Sequence, residues 1–150
     1  HLTLASARGI ANDPLVLAIV ESYLQCVPVV HSSYYVRMVH EHFEDHSRAN
    51  EFHRDFPDFL SLTLVVYLTD VDATHGPHQI IPGSLEINSW RKLFKPKAEA
   101  KSRRDIAKKP ITIVGCRGQA AFENLQLLHR RVVCRDDREA LFINYCLQRK

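Results

Sequence analysis

A histidine and an aspartate two residues apart are the first side chains in this sequence whose spacing suggests chemistry. His53 and Asp55 lie within Glu51–Phe56 (EFHRDF). Side chains at positions i and i+2 of a β-strand point to the same face, so this imidazole and this carboxylate can bind one metal ion together. A third candidate ligand, His129, lies far downstream in Leu127–Arg131 (LLHRR). Two histidines and one carboxylate form the ligand set that leaves coordination positions open on Fe(II).

A second pair of metal-binding side chains, His40 and His42, competes with this assignment. An HxH pair would suit a cupin-like metal site. We rank it lower because it lies on the first predicted strand and lacks the turn motifs that follow Asp55. Four further histidines have no partner at a comparable spacing, and we expect them at the surface or behind the ligands: His31, His46, His75 and His78.

The segments that follow Asp55 strengthen the first assignment. Ser61–Val71 is a β-branched and aromatic run of strand length, and it ends in the turn signal Asp72–Pro77 (DATHGP). His78–Ser84 (HQIIPGS) is then a short strand that stops at Pro-Gly. In this order the motifs resemble the phytanoyl-CoA dioxygenase-like family of Fe(II)- and 2-oxoglutarate-dependent oxygenases. The resemblance covers residues 30–148, and its most specific part runs from His53 to Ser84.

The resemblance implies an enzyme that uses Fe(II), 2-oxoglutarate and dioxygen to hydroxylate a small organic substrate, with release of succinate and carbon dioxide. It assigns His53, Asp55 and His129 as the iron ligands. The far carboxylate of 2-oxoglutarate requires a cation, and arginine offers a planar fork for it. In the family this arginine opens the eighth strand, which matches Arg138, nine residues after His129.

Two further residues belong to this expected co-substrate site. Arg131 shares a strand face with His129, where the family commonly has a small or hydroxylated residue, so its side chain either reaches the same carboxylate or obstructs the pocket. Tyr67 matches an aromatic position near the co-substrate, and it is equally well explained as a core tyrosine. The departure at Arg131 favours an alternative function, a catalytically silent metal-binding jelly roll that acts as a pseudoenzyme or a ligand-binding module.

The secondary-structure pattern predicts one N-terminal helix followed by strands. Asp13 precedes Pro14 as a helix cap, and apolar residues recur at helical spacing as far as Leu24. Eight short strand-like runs without alternating helices predict a mainly β fold, a double-stranded β-helix (jelly roll, cupin-like) of about eight strands. The runs are 33–43, 50–55, 60–69, 78–82, 111–116, 119–124, 126–134 and 139–147.

Positive charge is concentrated in residues 91–110. This stretch has nine basic and two acidic residues, whereas the formal net charge of the whole chain is +3. We interpret it as a basic helical or disordered insertion within the domain. The alternative is a basic rim at 91–109 for an anionic substrate or a nucleic acid, although the scarcity of interleaved aromatic residues disfavours base stacking.

Composition predicts a single domain over residues 1–150. The chain is 45% hydrophobic and 25% charged, and it has no apolar run near the roughly 20 residues that a membrane span requires. The four cysteines are scattered, which favours reduced thiols in an intracellular, cytoplasmic protein, with a bridge between two of them as the alternative. The length is short for the family, so we expect an N-terminally shortened domain.

Overall fold

The computed structural model describes residues 3–39, 48–55, 58, 60–85 and 109–147. Within these ranges the chain forms two α-helices, one short 3-10 helix and seven β-strands. The elements are α1 (Leu4–Ala11), α2 (Pro14–Leu24), β1 (Pro28–Met38), a 3-10 helix (Arg48–Asn50), β2 (Ser61–Tyr67), β3 (His78–Ile80), β4 (Ile111–Ile113), β5 (Ala120–Glu123), β6 (His129–Arg131) and β7 (Arg138–Leu147).

Helix α2 is the helix that the sequence predicts. The carboxylate of Asp13 accepts hydrogen bonds from the backbone N–H groups of Leu15 and Val16 at 2.9 and 3.2 Å. Pro14 occupies the first turn, where its missing N–H costs nothing. The helix ends at Gln25, which adopts the left-handed conformation with φ 55°.

Helix α1 corrects the expectation of a single helix. Thr3 caps it by accepting a hydrogen bond from the backbone N–H of Ser6 at 3.0 Å. The helix has only eight residues and contains Gly9, so its local signal is weak. Its position is fixed by tertiary contact, because the hydroxyl of the buried Tyr145 on β7 donates a hydrogen bond to the carbonyl of Ala11 at 3.0 Å.

The strands form two antiparallel sheets. The larger has the order β1-β7-β2-β5 and the smaller has the order β4-β3-β6. A mainly β fold of antiparallel sheets is therefore confirmed, while the count of about eight strands stays a prediction. The strand predicted over 50–55 does not form, because the 3-10 helix ends at Asn50 and the only β-bridge within residues 51–55 joins His53 to His129.

The larger sheet is covered on both faces, which explains why every residue of β2 is buried. On the outer face, Leu64 and Ile143 pack with Val20 and Leu24 of the helices. On the inner face, a separate cluster contains Val65, Tyr67, Val71, Ala140 and Phe142, with Ile113 of the smaller sheet packed against it. The inner face of the larger sheet therefore looks toward the smaller sheet, and the candidate site lies between them.

Two predictions fall largely outside the described residues. His40 and His42 both lie there, and so does the basic stretch 91–110 except for its last two residues.

None of the helices in the described ranges is both long and apolar enough to cross a lipid bilayer. The four cysteines, all within the described residues, form no disulfide, and Cys134 and Cys146 are buried.

Candidate metal centre

The fold brings His53, Asp55 and His129 together. The two histidines form an antiparallel bridge, in which each backbone N–H donates to the carbonyl of the other at 2.9 and 3.0 Å. One potential ligand atom from each of the three side chains lies within 4.8 Å of the others. The Oδ2 atom of Asp55 is 3.9 Å from Nε2 of His53 and 3.6 Å from Nε2 of His129. This spacing suits a single metal ion.

Backbone carbonyls orient both imidazole rings. Nδ1 of His53 lies 2.8 Å from the carbonyl oxygen of Glu51, and Nδ1 of His129 lies 3.0 Å from that of Leu127. Since a carbonyl only accepts, each Nδ1 carries the proton and each neutral ring keeps its lone pair on Nε2. A hydrogen bond of this kind behind a ligating histidine fixes the tautomer that binds metal. The two rings are thus prepared to bind metal through Nε2.

Asp55 lies at the open side of the centre. Its side chain is 55% exposed, whereas that of His129 is 4% exposed. Its backbone N–H donates to the carbonyl of Leu125 at 2.9 Å, which anchors the segment. When the histidines are protonated in the absence of metal, hydrogen bonding from the His129 imidazolium, and then the positive charge of His129 and His53, lowers the pKa of the Asp55 carboxyl against the opposing effect of burial. The carboxylate therefore carries the charge that a metal ligand needs.

Arg54, between the first two ligands, points the other way and ties this segment to the Pro-Gly-Ser corner. Its Nη1 donates to the carbonyl oxygens of Ser84 and Gln126 at 2.6 and 3.0 Å. This is the alternation expected of an extended segment. Arg54 cannot bind the metal, but its hydrogen bonds fix the segment that carries His53 and Asp55.

The Pro-Gly-Ser corner contacts the segment that carries His129, the third candidate ligand. The buried hydroxyl of Ser84 donates to the carbonyl of Ile81 at 2.7 Å and accepts from the backbone N–H of Leu128 at 2.8 Å. Gly83 has φ 65°, a backbone conformation that glycine adopts without steric cost. Because Leu128 directly precedes His129, the corner that marks the sequence motif positions the strand that carries this candidate ligand.

Arg138, the predicted co-substrate arginine, is buried at the start of β7. Its Nη1 donates to the carbonyl of Gly76, and its Nη2 lies 3.0 Å from the sulfur of Met38. Its Nε is buried and has no hydrogen-bond partner among the residues that the structure describes. Burial lowers the pKa of Arg138. The guanidinium is therefore a desolvated cation that retains hydrogen-bonding capacity.

Arg131, the competing arginine, approaches the same sulfur atom. Its Nε and Nη2 donate to Oδ1 of Asn50, both at 3.2 Å, and its Nη1 lies 3.8 Å from the sulfur of Met38. Burial also lowers the pKa of Arg131. The structure thus brings the two candidate arginines together, with the Met38 thioether between them.

Tyr67 lies in the inner-face cluster. Its hydroxyl donates to the carbonyl of Ile113 at 2.7 Å, and burial raises its pKa to about 12. The hydroxyl hydrogen is thus directed at the backbone. The ring belongs to the packing of the inner face, as the core interpretation of this residue expects, and its contact with a co-substrate stays a prediction.

His78 and Glu123 are polar neighbours of the centre that the sequence analysis did not pair. Nδ1 of His78 lies 2.8 Å from Oε2 of Glu123, and the His78 ring centroid is 6.3 Å from that of His129. The register of β3 against β6 is the feature that places His78 near the centre, because Ile80, two residues after His78, pairs with His129. Strand pairing is a long-range property, so the sequence alone did not reveal this contact.

No protein-family model and no curated protein matches the chain. Solved structures do share its fold. The non-heme alpha ketoglutarate dependent epimerase SnoN from nogalamycin biosynthesis matches 94% of this chain with a TM-score of 0.70 at 18% identity. EctD from S. alaskensis, solved with 2-oxoglutarate and 5-hydroxyectoine, matches 93% with a TM-score of 0.63 at 19% identity. AviO1 from Streptomyces viridochromogenes Tue57 matches 93% with a TM-score of 0.66 at 13% identity.

The chain spans only part of each of these proteins, namely 57% of SnoN, 51% of EctD and 60% of AviO1. At such low identity the likeness establishes the fold, which these proteins share with the described parts of the chain. The expected jelly-roll class is therefore confirmed at the level of architecture. The narrower assignment to the phytanoyl-CoA dioxygenase-like family stays a proposal.

Proposed function

We propose that this chain carries the catalytic core of an Fe(II)- and 2-oxoglutarate-dependent dioxygenase of the phytanoyl-CoA dioxygenase-like type. In this proposal it hydroxylates an unactivated C–H bond of a small organic substrate and releases succinate and carbon dioxide. The observation that carries the proposal is the convergence of one potential ligand atom from each of two imidazoles and one carboxylate within 4.8 Å. Further support comes from SnoN, which has been solved with Fe3+ and alpha ketoglutarate, and from EctD, solved with 2-oxoglutarate.

The donor set fits iron. Imidazole nitrogens and a carboxylate oxygen are the ligands of the facial triad, which leaves three positions open on Fe(II). His53, His129 and Asp55 would hold the ion, and the exposed side of Asp55 would leave room for other ligands. When bound, iron supplies the oxidising chemistry that no side chain can supply. The chain's own contribution is to hold both imidazoles with Nε2 unprotonated and facing the ion.

The arginines fit a dicarboxylate co-substrate. Thioether sulfur is a weak hydrogen-bond acceptor, and a carboxylate in its place would form charge-assisted bonds with the guanidinium groups. Arg138 is our choice for the far carboxylate of 2-oxoglutarate, because it is buried and has an unpartnered Nε among the described residues. Arg131, on the other side of the Met38 sulfur, is positioned to bind the same carboxylate together with Arg138 or in its place. The Tyr67 ring would form one wall of this region.

An anaerobic titration of the metal-free protein with Fe(II) and 2-oxoglutarate tests the proposal. We expect the visible charge-transfer band of an iron-bound keto acid. Asp55→Ala should abolish it by removing a ligand, and Arg138→Ala should weaken it by removing the partner of the far carboxylate. Asp136→Ala, which removes an exposed carboxylate from the turn before β7, is the matched control and should leave the band unchanged. If the unaltered protein bound no iron, the chain would share only the fold of these oxygenases and the proposed function would be wrong.

Two observations favour a second candidate function, a catalytically silent metal-binding jelly roll. The Gly76 carbonyl and the Met38 sulfur already occupy both terminal nitrogens of Arg138, and Arg131 stands where the family commonly has a small residue. In that case the protein would bind iron without the band and would form no succinate. Mass-spectrometric detection of succinate from 2-oxoglutarate separates the two functions.

The wider setting of the site also belongs to the proposal. We treat residues 1–150 as one domain of a cytoplasmic protein with a basic insertion at 91–110. A nucleic-acid partner for this insertion would give an affinity that falls steeply with salt, because bound phosphates release counterions. Neutralising Lys101, Arg103 and Arg104 together should abolish such binding if it exists, and an affinity insensitive to salt would exclude it.

A further inference from the structure

A buried carboxylate beside the metal centre has no role in the proposed iron site. The Glu123 side chain is 0% exposed, and only its Oε2 is paired, with Nδ1 of His78. Its Oε1 is buried without a hydrogen-bond partner in the part of the chain that the structure describes. Burying a charged group with half its hydrogen-bonding capacity unused is costly, so a fold that retains one needs a reason beyond packing.

The pairing leaves one nitrogen of His78 for another molecule. Since the carboxylate accepts a hydrogen bond from the Nδ1–H group, the neutral ring keeps its lone pair on Nε2. Nε2 has no hydrogen-bond partner among the described residues. The ring lies 6.3 Å from that of His129 and 5.4 Å from that of Phe142, centroid to centroid. His78 is therefore beside the centre, yet it is not one of the residues whose ligand atoms group within 4.8 Å.

Glu123 is also the last member of a row of polar residues that crosses the larger sheet. In the strand register Ser32 pairs with Asn144, Asn144 with Thr63, and Thr63 with Glu123. Residues directly opposite one another share a face of the sheet, so the row lies on one side, the side from which Glu123 reaches His78. The Thr63 hydroxyl donates to Asn144 at 2.7 Å, and the Asn144 amide donates to Ser32 at 2.8 Å.

We propose that this polar row and His78 form the substrate-recognition wall, and that the substrate is a hydroxyl-bearing polar molecule. Nε2 of His78 accepts a hydrogen bond from a substrate hydroxyl, and Glu123 holds the ring in the required tautomer. The inference rests on the proposed oxygenase function and narrows its substrate class. An aliphatic chain on this wall would leave Nε2 of His78 without a hydrogen bond, and a site built this way rejects a ligand that lacks the polar group.

Nitrogen-15 NMR of the histidine side chains tests the inference on protein loaded with Zn(II), a diamagnetic substitute for Fe(II), and with 2-oxoglutarate. The hydroxylated probes are methyl glucoside, myo-inositol and adenosine, and the apolar probes are hexanoate and cyclohexanecarboxylate. We expect at least one hydroxylated probe to shift the Nε2 resonance of His78, and neither apolar probe to do so. Failure of all three hydroxylated probes, or an equal shift with an apolar probe, overturns the inference.

Variants give a second, independent readout. His78→Leu keeps a side chain of similar size and should weaken binding of the hydroxylated probe about tenfold, the value of one hydrogen bond of about 1.4 kcal/mol. Glu123→Gln retains an acceptor for Nδ1 and should preserve most of the binding. Unchanged affinity in His78→Leu contradicts the inference. Zinc-induced shifts at His53 and His129 report the metal site separately, so their absence would count against the proposed function and not only against the substrate class.

Discussion

The backbone carbonyls of Glu51 and Leu127 orient the two imidazoles, so no side chain is needed behind either one. The arginines, in contrast, also contact neighbouring side chains. Arg138 is held by a carbonyl and a sulfur, and Arg131 is held by the amide of Asn50. The candidate metal ligands are thus oriented by the backbone, whereas both candidate co-substrate arginines contact the Met38 sulfur.

Substituting each arginine separately shows which one binds the far carboxylate. Arg138→Ala should weaken 2-oxoglutarate binding about 10- to 100-fold, since a hydrogen bond to a charged group contributes about 1.5–3 kcal/mol. Arg131→Ser should change it less than about threefold, because this guanidinium is already engaged by Asn50. Anaerobic titration followed by absorbance measures both. The reverse order of effects would assign the carboxylate to Arg131.

The sequence predicts these residues to different degrees. His53 and Asp55 can be found because two positions on one extended segment share a face whatever the rest of the chain does. His129 and Arg138 required the resemblance, since nothing local distinguishes them. The contact between His78 and Glu123 was not predictable, because it joins residues of two different sheets.

At the scale of elements, the Pro-Gly-Ser corner is the joint between the segments that carry the metal ligands. Ser84→Ala removes the hydroxyl that accepts from the Leu128 N–H, leaving a buried donor without a partner. We expect a loss of about 1–3 kcal/mol in the free energy of unfolding. Metal affinity should fall as well, because His129 follows Leu128. Urea denaturation and a metal titration measure the two effects.

The exposed Ser33 on β1 provides the matched control for the corner. Ser33→Ala should change the free energy of unfolding by no more than about 0.5 kcal/mol, as is usual for surface positions. If Ser84→Ala proved equally neutral in both measurements, the corner would have no role in supporting the site.

The turn before β3 presents the carbonyl that Arg138 uses, and it depends on Gly76. This residue has φ 63°, and a Cβ placed on it would lie 3.0 Å from the carbonyl oxygen of Val132 and 3.1 Å from Cβ of Cys134. Gly76→Ala should therefore destabilise the protein by about 3 kcal/mol or more, through backbone strain combined with a steric clash. Thermal unfolding measures this effect.

A substitution at Gly118 measures the cost of backbone strain without a steric clash. It also has a positive φ, 87°, but a Cβ there would meet nothing within 4 Å. Gly118→Ala should cost only about 1 kcal/mol, the steric cost of the left-handed conformation. Equal losses in the two variants would show that the tight packing around Gly76 contributes nothing.

Local signals explain which elements the sequence predicts. Helix α2 has a capping aspartate and a proline in its first turn, and both act as the pattern indicates. Helix α1 has two turns and an internal glycine, so its formation depends on packing against the sheet. Residues 50–55 were expected to form a strand from composition, yet pairing there is limited to the bridge at His53. Such short segments adopt the conformation that their neighbours impose.

At the scale of the whole molecule, the helices cover one face of the larger sheet and the site lies at the other. Tyr145 links these layers, since it belongs to the outer-face cluster and its hydroxyl donates to the carbonyl of Ala11. Burial, with a smaller effect from Asp13, raises its pKa to about 12. The docking of the helices therefore depends on a hydroxyl group that must stay protonated.

This dependence predicts how Tyr145→Phe responds to pH. At pH 8 the variant should be less stable by about 1 kcal/mol, because the Ala11 carbonyl loses its donor. Tyr145 has a pKa of about 12 in the folded chain, whereas a tyrosine in the unfolded chain ionises near pH 10. The contribution of this group to the free energy of unfolding is therefore fully present below pH 10, and it is lost as the pH rises from 10 toward 12. By pH 11 the unaltered protein should have lost up to about 1.4 kcal/mol through this group, which cancels the difference between the two proteins. Urea denaturation of both proteins at pH 8 and pH 11 measures that difference, and a value that stays constant would show that Tyr145 ionises as readily in the folded chain as in the unfolded one.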